Sequence, residues 1–255
     1  MIPKKIHYCW FGGKEKPKSV IECIETWKKF CGDYEIIEWN EKNFDVNVCQ
    51  YTRDAYKEGK WAFITDYVRL YAMVTEGGIY MDTDVEVVKN LDIFLDNQAF
   101  SGFQTNDSIP TGIMACEKNY KIFKELLEEY NDRSFYNNDG SLNLITNVEY
   151  ITNKYLKYGL VLNNCKQCIQ GFMLYPVDYF CAKSWKTGIV NKTEFTYTIH
   201  HFAGSWLPLE EQKLLKVNTF CSKYFGPFSR IAFLIYKYIL KPNNIVKKIK
   251  KVEKS

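Results

Sequence analysis

The sequence predicts an α/β fold, in which an open sheet is flanked by helices on both faces. Residues 2–11 and 34–39 have strand character, and residues 18–31 and 48–57 repeat apolar side chains at helical spacing. An alternation of strand and helix from the start of a chain is typical of a sheet of parallel strands covered by helices. A length of 255 residues allows one large domain with a substantial core.

A helix, a glycine pair and a strand follow one another in the most informative stretch, which is AFITDYVRLYAMVTEGGIYMDTDVEVVKNL at residues 62–91. The segment 62–76 is apolar on most sides, which predicts a buried helix that ends at the Gly-Gly pair. Asp66 and Arg69 lie three residues apart, on one face of that helix. The two charged side chains either form an internal ion pair or face a polar ligand at the edge of the core.

Asp82 and Asp84 follow the strand predicted at residues 79–81. In an extended segment, residues two apart point to the same side, so both carboxylates are expected on one side of the chain. Two close carboxylates repel each other unless a cation lies between them, and oxygen ligands suit Mg²⁺ or Mn²⁺. A solvated turn is the alternative interpretation of an Asp-X-Asp triplet.

The remaining chain continues the alternation. Further strands are predicted at residues 98–104, 112–117, 172–182 and 196–201, and further helices at 120–130 and 142–158. The last strand ends in IHHFAGSW at 199–206, where a histidine is suited to supply a nitrogen ligand to a metal. The pattern leaves open whether His200 or His201 is that ligand, and a structural role for His200 is the alternative.

The C-terminal residues differ from the rest of the chain in charge. Residues 213–255 contain 11 Lys and Arg against one Glu, a net charge of +10, so residues 1–212 carry a net −6. We therefore expect a domain at 1–212 and a basic, aromatic extension at 213–255. Basic and aromatic residues together favour a segment that lies on an anionic membrane surface, and a helix docked on the body is the alternative. Nucleic acid is an unfavoured partner because no binding motif accompanies the basic run.

The nine cysteines are scattered, and the opening MIPKKIHYCWFGG has no apolar signal region. These features favour reduced thiols and a cytoplasmic protein, peripheral at the inner face of the membrane. Cys165 and Cys168 form a single CxxC without a second pair, which argues against a structural zinc site.

The segments AFITDYVRL, GGIY and DTD, in this order and spacing, resemble the sugar-binding DxD region of glycosyltransferase family 32. The resemblance covers about 210 residues and is dense at 2–12, 62–92 and 199–206. It implies a GT-A fold with a Rossmann-like mixed sheet, and retaining transfer of a hexose from a nucleotide sugar, with UDP-sugars favoured. Mn²⁺ or Mg²⁺ would be the cofactor. A glycan or lipid-linked oligosaccharide used in cell-surface or capsular polysaccharide synthesis would be the acceptor, and the polar loop at 105–111 is placed to meet it.

The same resemblance implies roles for individual residues around the donor. Trp10 would stack on the base, Tyr80 would line the nucleotide pocket, and Asp66 would bind hydroxyls of the donor sugar. Arg69 would assist the glycosidic oxygen, and Asp82 would contact the ribose and donor sugar or the metal.

For the metal, the resemblance implies Asp84 and His201 as ligands, because matching the family's glycine to Gly204 selects the second histidine. Ser205 and Trp206 would contact the diphosphate.

Two other classes of function compete with glycosyl transfer. Phosphatases of the haloacid-dehalogenase type also place Asp-X-Asp at a strand end, but there the triplet is followed two residues later by Thr or Val, and here that residue is Glu86. Their motif also ends the first strand, whereas here it follows eighty residues of chain. A non-catalytic protein that binds carbohydrate or membrane is the third possibility.

Overall fold

The described part of the chain forms nine strands and eight α-helices. The computed structural model describes residues 1–105, 108–204, 207 and 209–240, with the backbone alone at 239 and 240. In chain order the elements are β1 (Lys5–Cys9), α1 (Lys18–Phe30), β2 (Glu35–Trp39), α2 (Gln50–Lys57), α3 (Trp61–Thr75), β3 (Gly78–Met81), β4 (Val85–Val87), β5 (Ala99–Gly102), β6 (Ile113–Cys116), α4 (Lys121–Glu128), α5 (Asn147–Lys157), β7 (Gln167–Ile169), β8 (Phe172–Tyr175), α6 (Val177–Phe180), β9 (Thr198–His200), α7 (Leu209–Phe225) and α8 (Ser229–Ile235).

Seven strands form one mixed sheet in the order β2-β1-β3-β6-β5-β8-β7. Strand β1 pairs in parallel with β2 and β3, whereas β6 is antiparallel to both β3 and β5. Strands β4 and β9 pair separately as a two-stranded antiparallel sheet. The predicted α/β class with a mixed sheet flanked by helices is confirmed.

Apolar side chains cover both faces of the seven-stranded sheet. On one face, buried residues of α2, α3, α4 and α5 form one cluster, which includes Tyr67 and Phe123. On the other face, Trp27 of α1 packs in a second cluster with Phe94 and Phe180. The two-faced coverage explains why strands β3, β5 and β6 are buried along their whole length.

Helix α3 ends where the sequence predicts. The helix stops at Thr75, and the N–H of Gly77 still bonds to the carbonyl of Met73 at 3.1 Å. Gly77 has φ +67°, and a Cβ there would lie 2.7 Å from the backbone nitrogen of Lys118. Only glycine meets both conditions, so the chain turns sharply from α3 into β3.

Several predicted elements are shorter in the structure than expected, and the largest differences are at 172–182 and 142–158. The strand predicted at 172–182 ends at Tyr175, because Pro176 cannot donate to a strand ladder and instead precedes helix α6. The helix predicted from residue 142 begins at Asn147.

The chain divides into two compact units. The first comprises Met1–Ala182 and Lys192–His200 and holds both sheets, and the second comprises Lys183–Asn191 and the described residues from His201 onward, with helices α7 and α8. The boundary after residue 212 stays a prediction about domains. None of the helices in the described part of the chain has the length and apolar character needed to cross a bilayer.

Candidate active site

The two aspartates of the DTD triplet lie in the turn that joins β3 to β4. Strand β3 ends at Met81, and the N–H of Val85 bonds to the carbonyl of Asp82 at 3.0 Å. The expectation that strand alternation aligns the carboxylates is therefore corrected: the tight turn, which folds residues 82–84 back on themselves, brings them together.

The pairing of β4 with β9 brings a histidine to this turn. In the antiparallel register, His200 lies opposite Val85, next to Asp84. The Nε2 atom of His200 is 3.2 Å from Asp84 Oδ1 and 3.9 Å from Asp82 Oδ2. One potential ligand atom from each of these three residues lies within 4.8 Å of the other two. The structure thus assembles a cluster of two carboxylates and one imidazole.

The histidine in this cluster is His200, whereas the sequence comparison places the ligand role on His201. His200 is the last residue of β9, and its buried side chain faces the DTD turn. His201 belongs to the second unit, where its carbonyl accepts a hydrogen bond from Lys183 Nζ at 2.7 Å. The pairing of β9 with β4 therefore presents His200 to the two carboxylates.

Helix α1 holds β4 in place beneath the cluster. Trp27 Nε1 donates to the carbonyl of Val85 at 2.7 Å, and the N–H of Val87 donates to Thr26 Oγ1 at 2.9 Å. These two bonds give hydrogen-bond partners to backbone groups of β4 on the edge that faces α1. Strand β4, which directly follows Asp84, is thereby held by α1 on one side and by β9 on the other.

Gly112 closes the cluster from a third side. Its carbonyl accepts the N–H of Asp82 at 2.8 Å, and a Cβ at this position would lie 2.5 Å from His200 Cε1. No side chain fits in that space, so the glycine allows the imidazole to reach the carboxylates.

Arg69 links the cluster to helix α3. Its Nη2 lies 3.1 Å from Asp66 Oδ1 and 3.5 Å from Asp82 Oδ1, and its Nη1 donates to the carbonyl of Thr111 at 2.5 Å. The guanidinium lies 4.7 Å from the ring centroid of Tyr80, whose hydroxyl donates to Asp82 Oδ1 at 2.8 Å. Arg69 is 4% exposed, so the pair with Asp66 is internal and also reaches Asp82.

Burial changes the proton affinity of this ion pair. It raises the pKa of Asp66 to about 6, although the Arg69 guanidinium and the backbone N–H of Asn147 favour the carboxylate. Burial would lower the pKa of Arg69, but Tyr80, Asp82 and Asp66 raise it. Arg69 is therefore a fixed cation between two acidic side chains.

Asn147 completes the support of Asp66. Its Nδ2 donates to the backbone carbonyl of Asp66 at 2.6 Å, and its Oδ1 accepts from the hydroxyl of Tyr130 at 2.7 Å. Asn147 is 1% exposed. No local sequence pattern indicates that Asn147 lies beneath Asp66.

The cluster has the chemistry and spacing of a divalent-cation site. Ligands about 2.1 Å from an octahedral ion lie about 3 Å apart when adjacent and about 4 Å apart when opposite, and the 3.2 and 3.9 Å separations match this range. Oxygen and imidazole donors suit Mn²⁺ or Mg²⁺. Although burial opposes a charged imidazole, Asp84 raises the pKa of His200 well above its usual range, so the site favours positive charge.

Trp10 follows β1, at the edge of the sheet to which β3 also leads. The indole is half-buried, its Nε1 donates to the carbonyl of Lys14 at 2.6 Å, and Lys16 Nζ lies 5.7 Å from the ring centroid. Lys16 Nζ also forms an ion pair with Glu38 Oε2 at 2.7 Å. A partly exposed indole fits the predicted stacking role, which stays a prediction. The predicted diphosphate contacts Ser205 and Trp206 lie outside the described residues.

Parts of the chain are similar to known protein families, sequences and structures. Residues 17–101 match the family described as "Glycosyltransferase sugar-binding region containing DXD motif". A curated relative, "Subversion of eukaryotic traffic protein A" from Legionella pneumophila, is 23% identical over 162 residues, which are 50% of this chain and 24% of the relative. The chain thus matches about a quarter of that relative's length.

Two solved structures are similar at low sequence identity. The first is the PaToxG glycosyltransferase, with 20% identity, a TM-score of 0.40, and coverage of 50% of this chain and 59% of the other. The second is a glycosyltransferase involved in the glycosylation of the major capsid of PBCV-1, with 12% identity, a TM-score of 0.44, and coverage of 83% and 98%. The matched region contains Asp66, Arg69, Asp82 and Asp84, so residues 17–101 of this chain are similar to a glycosyltransferase sugar-binding region with a DXD motif.

Proposed function

We propose that this protein transfers a hexose from a nucleotide sugar, with UDP-sugars favoured, to a hydroxyl of a glycan acceptor in a reaction that requires a divalent cation. The convergence of Asp82, Asp84 and His200 beside the buried Arg69 carries the proposal. Asp82 and Asp84 lie inside the matched family region, and the pairing of β9 with β4 brings His200 to them from a distant part of the chain.

The leaving group of such a reaction is a nucleoside diphosphate, so the main catalytic demand is to stabilise negative charge on its phosphates. Mn²⁺ or Mg²⁺ held by Asp82, Asp84 and His200 would supply that charge stabilisation. Asp82 would use Oδ2, because its Oδ1 is already held by the Tyr80 hydroxyl and Arg69. This division orients the carboxylate before any ligand arrives.

Arg69 and Tyr80 would act mainly by positioning. Both side chains are almost fully buried, and the guanidinium contacts Asp66, Asp82 and the carbonyl of Thr111. We propose that Arg69 fixes the two carboxylates and adds positive charge near the departing oxygen, and that Tyr80 orients Asp82. These contacts favour support of the site over direct binding of the base by Tyr80.

Asp66 would bind hydroxyl groups of the donor sugar, and Trp10 would stack on the base. Asp66 is 8% exposed as a residue, and burial strengthens a hydrogen bond that its carboxylate makes. Stacking on an exposed aromatic face is worth about 1–3 kcal/mol per base. Retention of anomeric configuration, which the family resemblance implies, completes the proposed reaction. Because Asp66 and Asp82 are both tied to Arg69 and neither is placed as a free nucleophile, a same-face transfer fits better than a double displacement.

The proposed acceptor is a cell-surface glycan or a lipid-linked oligosaccharide, reached from the cytoplasmic face of the membrane. The loop before β6 supports an acceptor side next to the cluster. Within it, the carbonyl of Thr111 binds Arg69, and the N–H of Ile109 donates to Thr152 Oγ1 of α5 at 3.1 Å. Peripheral association with an anionic membrane is part of the same proposal and is developed in the next subsection.

Hydrolysis of a panel of UDP- and GDP-sugars, with Mn²⁺ and with a chelator, tests the proposed activity. We expect one donor to release its nucleoside diphosphate only when the metal is present. Asp84→Asn should lower that rate by roughly 10²- to 10³-fold, since a metal clamp supplies several kcal/mol of charge stabilisation. The matched control is Asp96→Asn, an exposed residue outside the cluster, which should keep full activity. Full activity of Asp84→Asn, or cleavage of a simple phosphoester in place of nucleotide sugars, would contradict the proposal.

A further inference from the structure

Four aromatic side chains are grouped where α7 turns into α8. Phe220, Tyr224, Phe225 and Phe228 form this group, which we call the aromatic corner, and their exposed fractions are 56%, 63%, 47% and 68%. The ring of Phe220 lies 4.7 Å from that of Tyr224 and 6.3 Å from that of Phe225. Phe220 thus lies beside two of the other rings, and all four side chains are about half exposed or more.

This exposure continues along α8. Ile231, Leu234 and Ile235 are also at least 40% exposed. Contiguous exposed apolar surface of this size marks a site that contacts another apolar phase or molecule.

The charges around the aromatic corner are of one sign. Residues 212–240 contain five Lys and Arg and no Asp or Glu. Lys216, Lys223 and Arg230 are exposed on the same helix pair. The sequence continues with six more lysines between residues 241 and 254. A partner for this surface therefore needs both an apolar layer and negative charge.

We propose that the aromatic corner docks on an anionic lipid surface, with its rings at the level of the headgroups and acyl chains and its cations against the headgroup phosphates. Amphipathic aromatic rings are favoured at a membrane–water interface. Neighbouring cations add electrostatic attraction to anionic lipids, about fivefold in affinity for each basic residue near the surface. The glycine and proline of the exposed KYFGPF sequence form a turn that presents the rings at one end of the helix pair.

The aromatic corner is the part of the chain that we propose binds the membrane. Its binding to lipid does not depend on glycosyl transfer. A soluble donor can be hydrolysed at the cluster of Asp82, Asp84 and His200 whether or not lipid is bound. The vesicle experiment can therefore contradict the proposed lipid surface without contradicting the proposed activity, and the hydrolysis experiment can do the reverse.

Co-sedimentation of the full chain with vesicles tests the proposal. We expect binding to phosphatidylcholine vesicles that contain about one third phosphatidylglycerol, and at least tenfold weaker binding to phosphatidylcholine alone. The double variant Phe225→Ser/Phe228→Ser should bind anionic vesicles at least about tenfold more weakly, because it removes two interfacial rings. The matched control is Ile93→Ser, which removes an apolar side chain that is 65% exposed in the first unit and should leave vesicle binding unchanged.

A second pair of changes, Lys223→Glu/Arg230→Glu, keeps the test valid if the serine variant misfolds. It should weaken binding to anionic vesicles by at least about tenfold while donor hydrolysis and far-ultraviolet circular dichroism stay at the wild-type level. Equal binding to neutral and anionic vesicles, or no binding to either, would overturn the proposal. A dimer in light scattering that Phe225→Ser/Phe228→Ser converts to a monomer would assign the surface to a second copy of the chain and overturn it as well.

Discussion

Asn147 and Asp66 are joined by two hydrogen bonds. The Asn147 backbone N–H donates to Asp66 Oδ2 at 3.3 Å, and its side-chain Nδ2 donates to the Asp66 carbonyl at 2.6 Å. Asn147 begins α5 and Asp66 lies within α3, so these bonds couple two helices at the proposed donor site. Because Asp66 also contacts Arg69, the position of α5 bears on the ion pair between Asp66 and Arg69.

Asn147→Ala should weaken both stability and activity. The variant leaves the Asp66 carbonyl and the Tyr130 hydroxyl without their side-chain partner, at a cost of about 1–3 kcal/mol in the free energy of unfolding. We expect a roughly 10- to 100-fold loss of donor hydrolysis, typical of the loss of a group that orients a site residue. Urea unfolding and steady-state kinetics measure the two effects.

The affinity for Mn²⁺ should stay unchanged in Asn147→Ala, because Asn147 supports Asp66 and lies outside the metal cluster. The matched control Asn153→Ala alters an exposed residue of the same helix and should change neither quantity. An Asn147→Ala variant with wild-type kinetics would show that the position of Asp66 is unimportant for the reaction.

Gly112→Ala should displace His200. The new Cβ would lie 2.5 Å from Cε1 and 2.6 Å from Nδ1 of the imidazole, and the ring is held by the pairing of β9 with β4. Overpacking of this kind costs about 1–3 kcal/mol, and the shift of a ligand should weaken Mn²⁺ binding by about tenfold or more. Calorimetric titration with Mn²⁺ measures the change.

Gly13→Ala is the control for the added methyl group. Gly13 has φ +64° but open space around its Cβ position, so the variant should lose some stability and keep its metal affinity. Equal Mn²⁺ affinity in Gly112→Ala and the wild type would contradict the assignment of His200 to the cluster.

His7 should make stability depend on pH. Trp39 Nε1 donates to His7 Nδ1 at 3.0 Å, so the proton is on Nε2, which donates to the carbonyl of Gly77 at 2.8 Å. Burial lowers the pKa of His7 to about 4. Between about pH 6.5 and pH 4, His7 is protonated in the unfolded chain and neutral in the folded chain. Proton binding therefore favours the unfolded state, and the free energy of unfolding decreases as the pH falls toward 4.

The difference in unfolding free energy between the wild type and His7→Gln isolates this effect. We expect the variant to be less stable at about pH 7.5, and the gap to narrow by about 2–3 kcal/mol by about pH 4.5. Asp66, with its raised pKa of about 6, stabilises the fold as the pH falls and opposes His7, but it is present in both proteins and cancels in the difference. A gap that does not change with pH would show that His7 is not held neutral.

Local patterns predict those parts of the site that are close in sequence. The helix with Asp66 and Arg69, the glycine break and the strand before Asp82 all follow from periodicity and turn chemistry, and all appear in the structure. The internal ion pair of Asp66 and Arg69 was one of two alternatives that the sequence left open.

The contacts that complete the site depend on long-range packing. His200 reaches the cluster only through the register of β4 with β9, and a shift of one residue would present His201. Gly112 and Asn147 have no local motif, because their roles arise from close approach to residues 88 and 81 positions away. Strand β4, with three residues, is too short for a clear periodic signal.

The nitrogen ligand of bound Mn²⁺ is the most direct test of the account. Electron paramagnetic resonance of the Mn²⁺-loaded protein, in a pulsed experiment that detects coupling to ¹⁴N, reports whether an imidazole binds the ion. We predict a nitrogen coupling in the wild type and in His201→Ala, and no coupling in His200→Ala. Asp84→Asn should bind Mn²⁺ more weakly than the wild type and both histidine variants. A coupling that survives in His200→Ala, or is lost in His201→Ala, would contradict the metal site formed by Asp82, Asp84 and His200.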